Sequence, residues 1–287
     1  MEEALRVTST PASAGTGWAT ARDGTRLFVS DRGAGPAILL LSAWTLRSDV
    51  WGFHQAALVE AGYRVVAPDR RGHGRSDEPG RGYDLDTLAD DVAAIVAALD
   101  LRDVTLVAHS IGAAEAVRYL GRHGQARVAR LILVAPVTPC LTAAEDNPAG
   151  VPTAAFEGMR AAIASDFPKW LSDNEASFFN AEISGETREW VRGMMLSVAL
   201  PTVLACHRAF TAAELRDECR AIACPTLVVH GDRDASAPLA ITGRATAALI
   251  PDCVLHVIKG APHALPITHA ADLLDIVRRF AAANRSR

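Results

Sequence analysis

The sequence predicts an α/β protein with a mostly parallel central sheet and helices on both faces. Short, uninterrupted apolar runs of strand length recur along the chain. Longer segments with apolar residues at every third or fourth position separate these runs. The first pattern is typical of strands buried on both sides, and the second of amphipathic helices. The 287 residues, 49% of them hydrophobic and 22% charged, are sufficient for one large core.

Six apolar runs predict the parallel strands, each buried on both faces. The runs cover residues 37–41, 63–67, 104–108, 130–135, 226–230 and 254–258. Ahead of them, residues 17–31 predict an antiparallel hairpin at one edge of the sheet, because Asp23-Gly24 tolerates the positive φ angles of a tight turn. Residues 1–15 show no periodicity and predict a loosely ordered arm.

Five amphipathic segments predict the helices that separate the strands. They cover residues 50–61, 85–99, 111–122, 239–249 and 269–282. The alternation stops between residue 137 and about residue 217, where helical pieces occur without strand runs. We therefore expect a helical cap inserted after the sixth strand, over residues 138–217. Residues 1–137 and 218–287 are expected to form the two parts of the core domain.

The charge and the cysteine content of the chain restrict its binding partners and its cellular location. The net charge is -4 and the basic residues are scattered, which disfavours nucleic acid and anionic membranes as partners. No apolar run reaches about 18 residues, and the first residues do not have the pattern expected of a secretory signal. The five cysteines are odd in number and lack the spacing of a zinc site, so we expect free thiols, no metal and a cytoplasmic location.

The segment with the clearest chemical meaning is Val107-Ala108-His109-Ser110-Ile111-Gly112, which joins a predicted strand directly to a predicted helix. A nucleophilic serine on such a turn has an exposed hydroxyl, and small neighbours are needed because the turn is tight. Gly112 satisfies this on one side, and Ala108 stands where a glycine is usual on the other. We expect His109 to pack below the serine.

A serine hydroxyl needs a base to accept its proton, and the base needs an acceptor that orients it. The segment His230-Gly231-Asp232-Arg233-Asp234 and the segment Gly260-Ala261-Pro262-His263 each follow a predicted strand. The carboxyl ends of parallel strands are where such sheets carry their sites. The sequence therefore predicts Ser110 as nucleophile, His263 as base, and either Asp232 or Asp234 as the orienting acid.

These motifs resemble the cofactor-free haloperoxidase, aryl esterase and perhydrolase group of α/β-hydrolases. The similar segments are residues 63–76, which contain Asp-Arg-Arg-Gly-His-Gly-Arg-Ser, then residues 104–124, residues 226–234 and residues 260–263. The resemblance implies the α/β-hydrolase fold, no cofactor, and a chain order of serine, aspartate and histidine. It also implies that Asp234, rather than Asp232, is the catalytic acid.

The resemblance further implies an oxyanion hole made by the backbone N–H groups of Ile111 and Trp44. The family usually has His-Gly before the second of these positions, whereas this chain has Ser42-Ala43. The reaction it implies is hydrolysis of a carboxylic ester of a small or medium apolar substrate through an acyl-enzyme.

Other enzyme activities, and one other class of protein function, remain open at this point. Perhydrolysis of the haloperoxidase type, lactone opening and carbon–carbon bond hydrolysis use the same three residues on this fold. A ligand-binding protein that has lost efficient turnover is the alternative from another class, and its only support is the Ser42-Ala43 departure. The expected partner is a small-molecule ester, and a homo-oligomer is one alternative to a monomer.

Overall fold

The computed structural model describes residues 15–179 and 183–282, and in these ranges eight strands form one sheet. The strands are β1 Gly15–Thr20, β2 Arg26–Arg32, β3 Ala37–Leu41, β4 Arg64–Pro68, β5 Val104–His109, β6 Val128–Val134, β7 Thr226–Gly231 and β8 Cys253–Ile258. Their order is β1-β2-β4-β3-β5-β6-β7-β8. The β1–β2 and β2–β4 pairs are antiparallel and all the others are parallel. The predicted mostly parallel sheet and its edge hairpin are confirmed.

Helices separate the parallel strands as the periodicity predicts. The described helices are α1 Gly52–Glu60, α2 Leu85–Ala98, α3 Ile111–His123, α4 Thr153–Ser165, α5 Phe167–Phe179, α6 Gly185–Leu196, α7 Leu200–Thr211, α8 Arg216–Arg220, α9 Gly243–Leu249, α10 Leu265–Thr268 and α11 Ala270–Ala282. The helix predicted from residue 239 begins later, at Gly243. The reason is that the N–H groups of Ile241 and Thr242 both bond the Pro238 carbonyl and close a separate turn.

The core lies in two layers, one on each face of the sheet. In β3, Leu39 and Leu41 pack in the layer that contains α2 and α3. Ile38 and Leu40 point the other way, into the layer that contains α1 and α11. Because successive strand residues point to opposite faces, a continuous apolar run fills both layers. This is why β3, with all five residues buried, reads as an uninterrupted run.

The prediction that β8 is buried on both sides is wrong. Val254 is 59% exposed and Val257 is 38% exposed. β8 is the last strand in the sheet order and pairs only with β7, so its side chains have packed neighbours on fewer sides than those of an interior strand. Apolar content alone predicts a strand here but not its position at the edge.

Between β6 and β7 the chain forms helices α4 to α8, and no strand among the residues described there. Isolated bridges join Cys140 to Glu214 and Thr142 to Val151. The division into core and cap at residues 138 and 217 stays a prediction. The predicted arm over residues 1–15 lies outside the described residues except for Gly15, which begins β1.

No single described helix is long and apolar enough to cross a membrane. The pair α6 and α7 passes a test of length and composition together, but the two helices are bent by 91° at the break between them. Val191 of α6 and Val203 of α7 are buried in apolar clusters of the protein itself. The location of the protein stays a prediction.

His54 of α1 is a buried titratable group away from the predicted catalytic residues. Its ring lies 5.2 Å from that of Trp51, and neither ring nitrogen has a hydrogen-bond partner among the described residues. Burial lowers the pKa of His54 from 6.5 to about 4. Between about pH 6.5 and pH 4 the unfolded chain therefore takes up a proton that the folded chain does not. The free energy of unfolding consequently decreases as the pH is lowered through this range.

We expect His54→Phe to reduce the loss of stability between about pH 7 and pH 5 by about 1–2 kcal/mol, because the mutant no longer has this proton to take up on unfolding. Urea unfolding at both pH values measures the difference. His256→Phe, at an exposed position of β8, is the control and should leave the pH dependence as in the wild type. Equal pH dependence in wild type and His54→Phe would contradict the assignment.

Candidate active site

Ser110 lies in the tight turn between β5 and α3. Its backbone φ of 58° and ψ of -117° lie in a region that residues other than glycine rarely adopt. A Cβ on Gly112 would lie 3.0 Å from both Cβ and O of Leu41 in β3, so glycine allows α3 to pack closely against the sheet. Ala108 is fully buried and its methyl is accommodated. The turn presents the Ser110 hydroxyl at the carboxyl end of β5.

His263 lies in the loop after β8, with one ring nitrogen on Ser110 and the other on Asp234. Its Nε2 is 2.9 Å from Oγ of Ser110, and its Nδ1 is 2.7 Å from Oδ2 of Asp234. A carboxylate can only accept, so Nδ1–H donates to Asp234. The lone pair of Nε2 therefore faces Ser110, whose hydroxyl donates to it. The structure brings the three predicted residues into one hydrogen-bonded chain.

Four donors surround the Asp234 carboxylate, which lies in the loop after β7. Its Oδ1 accepts the N–H groups of Ser236 at 2.9 Å and Ala237 at 2.7 Å. Its Oδ2 accepts His263 and lies 3.1 Å from Nε2 of His230. Burial raises the pKa of Asp234, but the two histidines outweigh this effect and the pKa is well below its usual range. Asp234 is thus an ionised, fixed acceptor.

Asp232 has a different contact, although it follows the same strand. Its Oδ1 accepts the backbone N–H of Gly260 at 2.6 Å. Gly260 lies three residues before His263, so Asp232 fastens the loop that carries the histidine. Of the two acids that the residue pattern left open, Asp234 is the one that contacts the imidazole.

His109 is buried and contacts the loop that carries His263, while its packing below the serine stays a prediction. Its Nε2–H donates to the backbone carbonyl of His263 at 2.9 Å, and the two rings are 5.2 Å apart. Burial, together with the neighbouring His263, lowers the pKa of His109 to about 3. His109 is therefore neutral at ordinary pH and holds the main chain of the His263 loop.

His230 is a site residue to which the sequence analysis gave no role. It is the penultimate residue of β7 and is buried, and its Nε2–H is shared between Asp234 and the carbonyl of Ala237, which lies 2.9 Å away. The available signal was its spacing of four residues from Asp234 within one segment. That spacing alone does not distinguish a carboxylate partner from ordinary packing of a strand end.

The predicted oxyanion donors, Trp44 and Ile111, lie on two separate segments beside Ser110. Ile111 is the first residue of α3, and the first N–H groups of a helix have no acceptor within it. Trp44 lies in the loop after β3, and its N–H donates to none of the described residues. The next residue, Thr45, has a φ of 60°, which is rare for a β-branched residue.

A cavity of about 220 Å³ opens above Ser110 and His263. The indole of Trp44 lies on its wall, with ring centroids 5.8 Å from Trp170, 5.3 Å from His207 and 5.9 Å from Phe210. Its Nε1–H donates to the carbonyl of Val203 at 3.0 Å, so the ring is fixed against α7. Further apolar lining comes from Val137, Leu141, Val151, Phe156, Met159, Leu171, Phe178, Phe179 and Met195.

Polar side chains line another part of the same cavity. Asn174 and Glu175 come from α5, and Arg188 and Arg192 come from α6. Arg188 forms an ion pair with Glu175, and Arg192 donates to the carbonyl of Pro168 at 3.1 Å. The cavity thus joins an aromatic region to a region with charged groups.

Within residues 15–179 and 183–282, no group of three or more His, Cys, Asp or Glu side chains could hold a metal ion. The five cysteines have free thiols. Burial raises the pKa of Cys206 to about 12, so this thiol stays protonated. The expectation of a reaction without metal or cofactor stays a prediction.

The sequence matches a family model described as alpha/beta hydrolase fold over residues 36–270. A non-heme haloperoxidase from Rhodococcus erythropolis is 39% identical over 269 residues, which is 90% of this chain and 98% of the relative. The solved structure of a bromoperoxidase from Bacillus anthracis is 31% identical with a TM-score of 0.89, and that of an esterase from Exiguobacterium antarcticum is 26% identical with a TM-score of 0.90. Each match covers 93% of this chain and 99% of the other.

The chain belongs to the α/β-hydrolase fold family, as the sheet order and the sequence motifs indicate. Within that family it belongs to the group of non-heme haloperoxidases and similar hydrolases. The resemblance inferred from the motifs is therefore confirmed, and the family identifies the protein as an enzyme of the hydrolase type.

We expect Asp234→Asn to move the proton of His263 from Nδ1 to Nε2. The N–H groups of Ser236 and Ala237 hold one side-chain oxygen, so the new amide NH₂ faces the histidine and can only donate. The far-downfield proton resonance of a histidine bonded to a carboxylate, followed by NMR, should disappear. Asp232→Asn is the matched control and should keep the resonance. Loss of the resonance in both variants would contradict the assignment of Asp234 as the carboxylate that bonds His263.

Proposed function

We propose that the protein is a serine hydrolase that cleaves a carboxylic ester through an acyl-enzyme. The observation that carries the proposal is the chain from Oγ of Ser110 through His263 to Asp234, with hydrogen bonds of 2.9 Å and 2.7 Å. This arrangement links a nucleophile, a base and an orienting carboxylate, which acyl transfer requires. An esterase of the same fold, 26% identical over 93% of this chain, supports the same reaction.

In the first half of the proposed reaction, Oγ of Ser110 attacks the ester carbonyl carbon while Nε2 of His263 takes its proton. The carbonyl π electrons move to oxygen, and the N–H groups of Trp44 and Ile111 stabilise the oxyanion. Asp234 stabilises the imidazolium. The intermediate then collapses, the bond to the alkoxide breaks, and His263 returns the proton to the leaving alcohol.

In the second half, water takes the place of the alcohol. His263 accepts a proton from the water as its oxygen attacks the acyl carbon, and a second oxyanion forms at the same N–H groups. Collapse of this intermediate breaks the bond to Oγ of Ser110, which regains its proton from His263. The products are the carboxylic acid and the free enzyme.

The volume of the cavity and the residues that line it support a small or medium substrate with an apolar part. A volume of about 220 Å³ is below the usual size of sites for drug-sized ligands. The rings around Trp44 provide the apolar contact surface, and the charged groups of α5 and α6 lie where a polar substituent could reach them. We propose a small-molecule ester as substrate, and a lactone, as a cyclic ester, fits the same steps.

We expect Ser110→Ala to lose essentially all ester hydrolysis, about 10⁴-fold or more, because the nucleophile is removed. A panel of acyl and aryl esters measures the loss. A fluorophosphonate probe should label wild type at Ser110, located by peptide mass mapping. Ser30→Ala, which removes a buried hydroxyl of β2 outside the cavity, is the control and should keep both labelling and hydrolysis.

The alternative hypothesis, that the protein only binds ligands and does not turn them over, predicts another result. It would show no labelling in wild type and no ester turnover that depends on Ser110. Full hydrolysis by Ser110→Ala would equally contradict the proposed mechanism.

Perhydrolysis is a second candidate, favoured by the 39% identical non-heme haloperoxidase. Here hydrogen peroxide attacks the acyl-enzyme in place of water, Oγ of Ser110 leaves with a proton from His263, and a peracid is released. With an ester and peroxide present, we expect wild type to form peracid and Ser110→Ala to form none, measured by bromination of a dye. Carboxylic acid as the only product of wild type would exclude this second activity.

A further inference from the structure

The guanidinium of Arg70 lies buried between the two segments that carry Trp44 and Ile111. Its side chain is only 6% exposed. Nη2 donates to the carbonyl of Ser42 at 2.7 Å, and Nη1 donates to the carbonyl of Ala43 at 3.2 Å. Nε donates to the carboxylate of Glu115, which is 5% exposed. One side chain therefore bonds both segments.

The bond to Ala43 fixes the direction of the next N–H. The carbonyl of Ala43 and the N–H of Trp44 belong to one planar trans peptide, in which they point in opposite directions. A guanidinium that holds the carbonyl on one side therefore turns the N–H to the other side. Ala43, Trp44 and Ser110 all line the cavity, and the N–H of Trp44 donates to none of the described residues.

The bond to Glu115 fixes the other segment. Glu115 lies four residues after Ile111, one turn along α3 and on the same side of the helix. The position of its carboxylate is therefore tied to the position of the helix start, where the N–H of Ile111 has no acceptor within the helix. Arg70 itself follows β4, outside both segments.

We propose that Arg70 is a positioning residue that holds the two halves of the oxyanion hole in a fixed relation. This inference rests on the proposed acyl transfer, because only an oxyanion at Trp44 and Ile111 makes their relation matter. Arg70 does not touch the reacting atoms. It acts through the Ser42 and Ala43 carbonyls and through Glu115.

The charge of the pair agrees with this role. Burial alone lowers the pKa of Arg70, but the carboxylate of Glu115 outweighs it and the pKa is raised. The guanidinium therefore stays protonated and keeps all its donors. A lysine has a single ammonium group and cannot bond two carbonyls and a carboxylate with the planar geometry of arginine.

Arg71 is a matched control, since it is a second buried arginine in the same turn. It is 1% exposed and bonds Asp91 through Nε and Nη2, each at 2.6 Å, and Asp23 through Nη1 at 2.9 Å. None of these partners belongs to the loop after β3 or to α3. Arg71→Lys removes the same kind of buried guanidinium, with its several hydrogen bonds, without touching the segments that carry Trp44 and Ile111.

We expect Arg70→Lys to lower kcat for an ester about 10- to 100-fold, less than the 10²–10³-fold loss of a whole donor. KM should change by less than about threefold, because the cavity walls are unaltered. Binding of a trifluoromethyl ketone, which forms an oxyanion adduct with the serine, should weaken by the same factor as kcat. Arg71→Lys should leave both quantities within about threefold of wild type.

Thermal unfolding establishes that each variant is folded. If Arg70→Lys does not fold, Glu115→Gln replaces it, and the same selective loss in kcat and ketone binding is expected because the amide holds Arg70 less firmly. Equal effects at positions 70 and 71, or a fall in kcat without weaker ketone binding, would overturn the inference. Failure of Ser110 labelling in wild type would instead overturn the proposed function.

Discussion

The parallel pairing of β3, β5, β6, β7 and β8 is the constraint on which the site depends. Parallel strands have their carboxyl ends at one edge of the sheet, so the loops that follow them meet there. The loop after β3 contributes Trp44, the turn after β5 Ser110, and the loops after β7 and β8 Asp234 and His263. Residues as far as 219 positions apart in the chain, Trp44 and His263, therefore line the same cavity.

The sheet also stabilises two strained backbone conformations that an isolated loop would not keep. Ser110 has a φ of 58° and Thr45 a φ of 60°, values that cost of order 1–3 kcal/mol each for such residues. Ser110 is held by the pairing of β5 with β3 and β6 and by the close packing of Gly112 on Leu41. Burial of the surrounding strands provides the free energy that keeps the turn in this conformation.

Local patterns predict the parts of the site that lie in their own motifs. Strand runs and the loops that follow them predict Ser110 and His263 and leave Asp232 and Asp234 open as the acid, which the family resemblance then decides in favour of Asp234. Arg70 and Glu115 lie 45 residues apart in segments that read as a turn and a helix, and their pairing depends on the sheet order, which periodicity does not reveal. The exposure of β8 escapes prediction for the same reason, since edge position is a property of the whole sheet.

The loop Ser42-Ala43-Trp44 departs from the family pattern in its side chains, yet the contacts that orient it involve its main chain. Ser42 and Ala43 bond Arg70 through their carbonyls, while the Ser42 hydroxyl is buried without a hydrogen-bond partner among the described residues. A carbonyl is present whatever the side chain, so the donor at Trp44 does not require histidine or glycine at the preceding positions. The departure is therefore compatible with the proposed oxyanion hole, and the indole of Trp44, fixed against Val203, lies on the wall of the cavity.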